Sequence, residues 1–135
     1  MAYTLNPSEA LPYGQGSQFA PNTSGGIVNY STGSIVMDAT SPVAAVVPVG
    51  FTPRKIRVID ITNINAANGG EFEYVDMFPA NTTLKTVYTA GAGVKTVDTT
   101  GAITIGTELA GTGRSFIVAA AALTASHTYV FEAWA

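Results

Sequence analysis

Few side chains in this sequence have the types and spacing that chemistry requires. His127 is the single histidine among 135 residues, and Ser126 precedes it. A serine nucleophile needs a base that a third group orients, and adjacency along the chain does not supply that arrangement. His127 therefore reads as a solvated turn residue ahead of the last strand. Glu71 and Glu73 stand two apart, so on a strand they share a face with Cα atoms about 6.5–7 Å apart. That overlaps the separation of carboxylate pairs that cleave glycosidic bonds. Such pairs normally come from different elements lining a cleft, and acids two apart on one strand read as a solvated face. Gly91-Ala92-Gly93-Val94-Lys95-Thr96 and Gly111-Thr112-Gly113-Arg114-Ser115 have the look of phosphate loops. Neither carries glycine directly before a lysine, and neither leads into a helix. Both read as turns in which glycine supplies positive φ. Asp38, Asp60, Asp76, Asp98, Glu71 and Glu73 follow no calcium-loop spacing, and cysteine is absent. No catalytic residue, metal or cofactor is expected.

The remaining concentration of charge is FTPRKIRVID, residues 51–60, where Arg54, Lys55 and Arg57 are half of the six basic residues. Pro53 sets the start of a strand. Lys55 and Arg57 share one face by the period of two, and Arg54 faces the other way. If the chain folds back through NINAANGG, the acids of EFEYVD become cross-strand partners for Lys55 and Arg57. Arg54 is left for an external partner.

These side chains are carried by a series of short β-like runs. GIVNY and SIVMDA flank Ser31-Thr32-Gly33, which reads as a hairpin. PVAAVVPV carries Pro42 and Pro48 and is limited to an edge strand or loop. RKIRVIDIT and EFEYVDMF follow, with Phe72, Tyr74 and Phe78 on one side of the latter. LKTVYT and VKTVDT read as the arms of a hairpin, then come AITIG, SFIVAA and TYVFEAW. The last run sets Tyr129, Phe131 and Ala133 opposite Val130, Glu132 and Trp134. No segment keeps a helical period for three turns, although residues 118–125 suit a single helical turn. The predicted fold is all-β: an antiparallel β-sandwich, jelly-roll-like, over residues 27–135, with a core of Ile56, Val58, Phe72, Tyr74, Phe116, Val118, Tyr129 and Phe131. Residues 1–26 are rich in proline and glycine, yet Tyr3, Leu5, Leu11, Tyr13 and Phe19 are spaced along them like anchors. This segment reads as an extended N-terminal arm that lies on its own domain or on a neighbouring subunit.

Composition narrows the function. Only 11% of residues are charged, against about 25% in typical soluble domains. A surface of threonine, alanine and glycine suits a protein packed against other subunits better than a solitary one. A net charge of −3 leaves no basic surplus for phosphates, so nucleic acid is not an expected partner. The most apolar run, VAAAALTA at 118–125, is too short to span a bilayer. The first residues, MAYTLNPSEALPYGQG, have neither a basic nor an apolar leader pattern, and the sequons at Asn22, Asn29 and Asn81 read as chance matches.

From FTPRKIRVIDIT through EFEY and LKTV to the Gly/Thr-rich turns and TYVFEA, residues 50–135 resemble small virion proteins of tailed bacteriophages, the capsid decoration or cement proteins. The resemblance implies a β-sandwich that assembles as a dimer or trimer on the outside of the capsid, with the major capsid protein as partner. It would be made in the host cytoplasm and end in the virion. No family residue of known role carries over. The contact residues expected from the chain itself are Tyr3, Leu5, Leu11, Tyr13, Phe19 and Arg54. The rival reading is a carbohydrate-binding or tail-associated β-sandwich, which would present Tyr74, Tyr88 or Trp134 in line on an accessible face.

Overall fold

The computed structural model describes residues 3–7, 29–106 and 114–135. Ten strands follow in order: β1 (Tyr3–Pro7), β2 (Tyr30–Met37), β3 (Ala45–Pro48), β4 (Lys55–Asp60), β5 (Glu71–Val75), β6 (Thr83–Thr89), β7 (Ala92–Asp98), β8 (Ile103–Gly106), β9 (Ser115–Val118) and β10 (Thr128–Trp134). A single 3-10 turn, Ala120–Ala122, lies within the run expected to turn once. Every pairing is antiparallel. The strands form two unequal layers, a seven-stranded sheet ordered β1-β2-β10-β4-β5-β6-β7 and a three-stranded sheet ordered β3-β9-β8. The chain is thus an all-β antiparallel sandwich.

The period of two decides which side of each strand is buried. In β10 Tyr129, Phe131 and Ala133 are buried, while Val130, Glu132 and Trp134 are not. Ile56 and Val58 of β4, Phe72 of β5 and Ile35 and Met37 of β2 join them on the inner face of the large sheet. Ala45, Val47, Ile103, Phe116 and Val118 of the small sheet meet that face in one hydrophobic cluster. Phe116 and Phe131 bridge the layers edge to face, with ring centroids 5.4 Å apart. Such a contact adds about 0.5–1.5 kcal/mol beyond burial. Tyr74, expected in the core, packs against it half-buried.

Two local readings are corrected. Ser31-Thr32-Gly33 is not a hairpin: β2 runs straight through it, because Gly33 pairs with both Pro7 of β1 and Phe131 of β10. Paired neighbours on both sides outweigh a local turn signal. EFEYVDMF ends as a strand at Val75, where Phe78 donates its amide to the Val75 carbonyl at 2.9 Å and Met77 turns outward. The alternation therefore does not reach Phe78. The start of the arm lies on its own domain, one of the two surfaces expected for it: Tyr3–Pro7 forms strand β1, and Tyr3 and Leu5 pack against the chain's own core. The Tyr3 hydroxyl accepts the Val46 amide at 3.2 Å and donates to the Val46 carbonyl at 3.3 Å, tying β1 to the outer edge of β3. Leu11, Tyr13 and Phe19 lie outside the described residues.

One glycine is required by close approach. A Cβ on Gly70 would sit 2.0 Å from the Ile64 carbonyl oxygen, which no rotamer change relieves. Gly70 also donates to Thr86 and accepts from Asp60, so it closes the β4–β5 connection onto β6. Phe131→Ala is expected to cost about 3–5 kcal/mol, since it empties the centre of both layers, and Phe131→Leu is expected to cost less than half as much. Urea unfolding with unchanged m-values would check both.

Candidate functional site

The outward face of the large sheet carries six charged residues, three basic and three acidic, arranged in three rows by the register of the strands. One row runs Tyr30, Trp134, Lys55, Val75. The next runs Thr32, Glu132, Arg57, Glu73, Leu84, Val97, and the third runs Ser34, Val130, Ile59, Glu71, Thr86, Lys95. Cross-strand neighbours on one face interact directly, and opposite charges there stabilise the ladder.

All but one of the charges on this face are paired within the chain. Arg57 Nε donates to Glu71 Oε2 at 2.7 Å, one step diagonally from its opposite residue, and Arg57 Nη1 lies 3.7 Å from Glu132 Oε1. Lys95 Nζ reaches over β6 to Glu73 Oε1 at 3.3 Å. The Tyr30 hydroxyl donates to Glu132 Oε2 at 2.9 Å. The hydrogen bond to Glu71 raises the Arg57 pKa, and burial, with Glu132 alongside, raises that of Tyr30. Lys55 takes no carboxylate. Its ammonium sits 5.2 Å from the centre of the Trp134 ring, and Trp134 in turn tilts against Tyr30. The sequence placed the acids of β5 opposite the bases of β4, and the hairpin forms. The register gives Glu71 to Arg57 and Glu73 to Lys95 rather than to Lys55.

Arg54 was expected to be left without a partner in its own chain. Its Nε instead donates to Asp76 Oδ2 at 2.9 Å, at the rim where β4 begins and β5 ends. The Arg54 side chain remains 68% exposed, and an ion pair this open contributes little to stability. The three rings that would form a sugar platform do not line up. Tyr74 lies on the core side. Trp134 and Tyr88 are at opposite ends of the outer face, where Tyr88 covers Gly93 across the β6–β7 hairpin.

His127 is not a solvated turn residue. Its Nδ1 lies 2.7 Å from Oδ2 of Asp60, a carboxylate with no exposed side-chain surface. The other oxygen, Oδ1, accepts the amides of Thr62 at 2.9 Å and Asn63 at 3.0 Å. The His127 carbonyl accepts the Met37 amide at 2.9 Å. Tyr129, next along β10, accepts the Thr124 amide on its hydroxyl at 2.8 Å, and burial raises its pKa. Asp60 thus fixes the end of β4, the loop after it and the start of β10. A histidine–carboxylate pair is part of hydrolytic triads, but a nucleophile within hydrogen-bond reach is also required. Among the described residues no such hydroxyl bonds to the ring. Nor do three His, Asp or Glu side chains gather there as a metal would need.

A cleft of about 400 Å³ opens where β6 and β7 overhang the small sheet, lined by Phe72, Lys85, Thr96, Asp98, Ala102 and Ala119 among others. Lys85 Nζ lies 3.9 Å from Asp98 Oδ2. Burial pushes the Asp98 carboxyl up, but hydrogen bonds from the Thr100 hydroxyl and amide, with Lys85 alongside, hold it below its ordinary value. The stretch that begins at Gly91 opens on a turn, as its glycines suggested. Ala90 and Gly91 have φ of 53° and 84° and form the tip of the β6–β7 hairpin. The Gly111–Gly113 stretch lies outside the described residues.

Comparison with protein-family models, with curated proteins and with solved structures gives no match.

Asp60→Ala is expected to lose about 3 kcal/mol, because it removes the buried acceptor of the Thr62 and Asn63 amides and the partner of His127. A double-mutant cycle with His127→Gln should give a coupling of about 1 kcal/mol or more, read by urea unfolding. Asp98, with its lowered pKa, contributes stability that is present above the unfolded-state pKa. That contribution disappears as pH falls through the folded-state value. Asp98→Asn should cost about 1 kcal/mol at neutral pH and flatten the acid limb of a stability–pH curve. An acid limb of unchanged slope would contradict this assignment.

Proposed function

We propose that this chain is a non-enzymatic virion structural protein, a decoration or cement protein that binds the outside of a phage capsid and stabilises it. The observation that carries the reading is the outer face of the large sheet. Its charges other than Lys55, which lies over Trp134, are paired within the chain, and Val130, Ile59, Leu84, Val97 and Val75 are interleaved with them. An outer sheet face that serves only to keep a monomer soluble is ordinarily a plain polar one. A broad, neutral, partly apolar face is suited to contact area with a protein lattice, where desolvating an unpaired charge would be the main penalty.

A cement protein needs area and multiplicity, not a reacting centre. By binding only the assembled shell it stabilises that state through linkage, and many copies on a symmetric lattice add avidity. The major capsid protein is the partner in this reading. Arg54 stands at the rim of the face and supplies a charged contact there through its exposed guanidinium. A carbohydrate-binding or tail-associated module is the rival, and among the described residues the exposed Tyr30 ring against the half-buried Trp134 favours it.

The test is co-sedimentation with mature and unexpanded capsids. Saturable binding to mature shells is expected, with a loss of about tenfold or more in affinity for Ile59→Lys/Val130→Lys, which places two unpaired charges in the middle of the face. Deleting residues 1–26 would be a poor probe, since it removes β1 as well. Absence of binding to either shell would reject the reading and direct the search to glycan arrays and tail components.

A further inference from the structure

The edges of the two sheets are treated unequally. β3 is four residues long, ends in Pro48 and has its Val46 amide and carbonyl taken by the Tyr3 hydroxyl. β8 is also only four residues long, and β1 ends in Pro7. Short strands, prolines and covering groups are the ordinary protections of a sheet edge. β7 has none of them. It is seven residues long, pairs with β6 without a bulge from Ala92 to Asp98, and contains no proline. Among the described residues nothing pairs with its other side. Val94 and Val97 are 59% and 64% exposed, one on each face of the sheet. Lys95, its one basic guard, is drawn away from the edge to Glu73.

The hairpin fixes which backbone groups are available. Thr89 and Ala92 close the two-residue turn at Ala90-Gly91, so Ala92, Val94, Thr96 and Asp98 direct their amides and carbonyls to β6. By the same alternation Gly93, Lys95 and Val97 direct theirs outward.

We propose that β7 pairs with β7 of a second copy of this chain, antiparallel, about a two-fold axis at Thr96. The two large sheets then become one. Charge selects the register. An axis at Lys95 would set two lysines directly opposite each other, which is destabilising. An axis at Val97 runs out of strand at Asp98, and one at Val94 leaves Val97 beyond the ladder. With the axis at Thr96, threonine faces threonine and the Lys95 stem lies over the partner copy's valine at the same position as Val97. The outward groups of Lys95 and Val97 exchange hydrogen bonds with their counterparts. A two-fold pairing of identical strands also closes on itself, so it yields a dimer rather than a fibre. The interface is small, so the dimer is a weak and concentration-dependent one. The inference rests on this edge and does not require the capsid reading.

The absence of cysteine makes the register testable in the full chain. Sedimentation equilibrium should show a reversible monomer–dimer equilibrium. Thr96→Cys should give a disulfide-linked dimer on mild oxidation, since directly opposed residues of a non-hydrogen-bonded pair bring Cα atoms to about 4.5 Å. Val97→Pro removes an outward amide and leaves the β6 ladder whole; it should weaken dimerisation about tenfold or more with an unchanged circular dichroism spectrum. Val97→Lys, which opposes the partner copy's lysine, should do the same and covers the case in which the proline variant does not fold. A wild-type chain that stays monomeric up to about 1 mM would overturn the proposal. So would a dimer that neither Val97 variant weakens and that Thr96→Cys does not cross-link.

Discussion

Asp60 is the point on which the sandwich turns. A carboxylate removed from water must be met by donors, because an unpaired buried charge is among the costliest defects a fold can hold. Here two loop amides and His127 meet it. The amides follow Asp60 directly and His127 lies 67 residues on, so satisfying the carboxylate ties the loop after β4 to the start of β10. The loop after β4 is held in its turn, and β10 is started at the height that puts Tyr129 opposite Asp60 and Ile35. From that starting point the period of two carries Phe131 and Ala133 inward, and Glu132 and Trp134 outward.

The few charges elsewhere are also spent on position. Arg57 could face Glu73 alone, but it leans to Glu71 and reaches Glu132, so one guanidinium spans three strands. Lys95 and Glu73 fasten the β6–β7 hairpin back onto β5. Exposed pairs of this kind add little stability individually. Their effect is to disfavour a slipped register, which would bring like charges together and turn the apolar side of each strand to water.

Most of the strands were legible in the sequence because burial on one face writes itself as alternation. TYVFEAW, RKIRVID and the LKTV/VKTV hairpin are read without their neighbours, and so is the β4–β5 hairpin, from its bases and acids. What the sequence hid depends on distant partners. Gly33 looks like a turn until Phe131 and Pro7 are placed beside it. His127 looks solvated until Asp60, 67 residues earlier in the chain, is brought within 2.7 Å. Arg54 looks unpartnered because Asp76 lies on the far side of a loop. A neutral outer face is similarly invisible, since composition reports how many charges there are and not how they cancel.

The place of β10 also governs how the molecule is made. It lies between β2 and β4, in the middle of the large sheet, yet it is the last of the ten strands to be synthesised. Until residues 128–134 emerge, β2 and β4 each present a bare edge and the Tyr129 and Phe131 sites are vacant. The nascent chain therefore has local hairpins in place and no closed core. Pairings of long sequence separation form slowly, and open edges in the meantime are where chains find one another. The core of this sandwich therefore closes late, with its central strand arriving last.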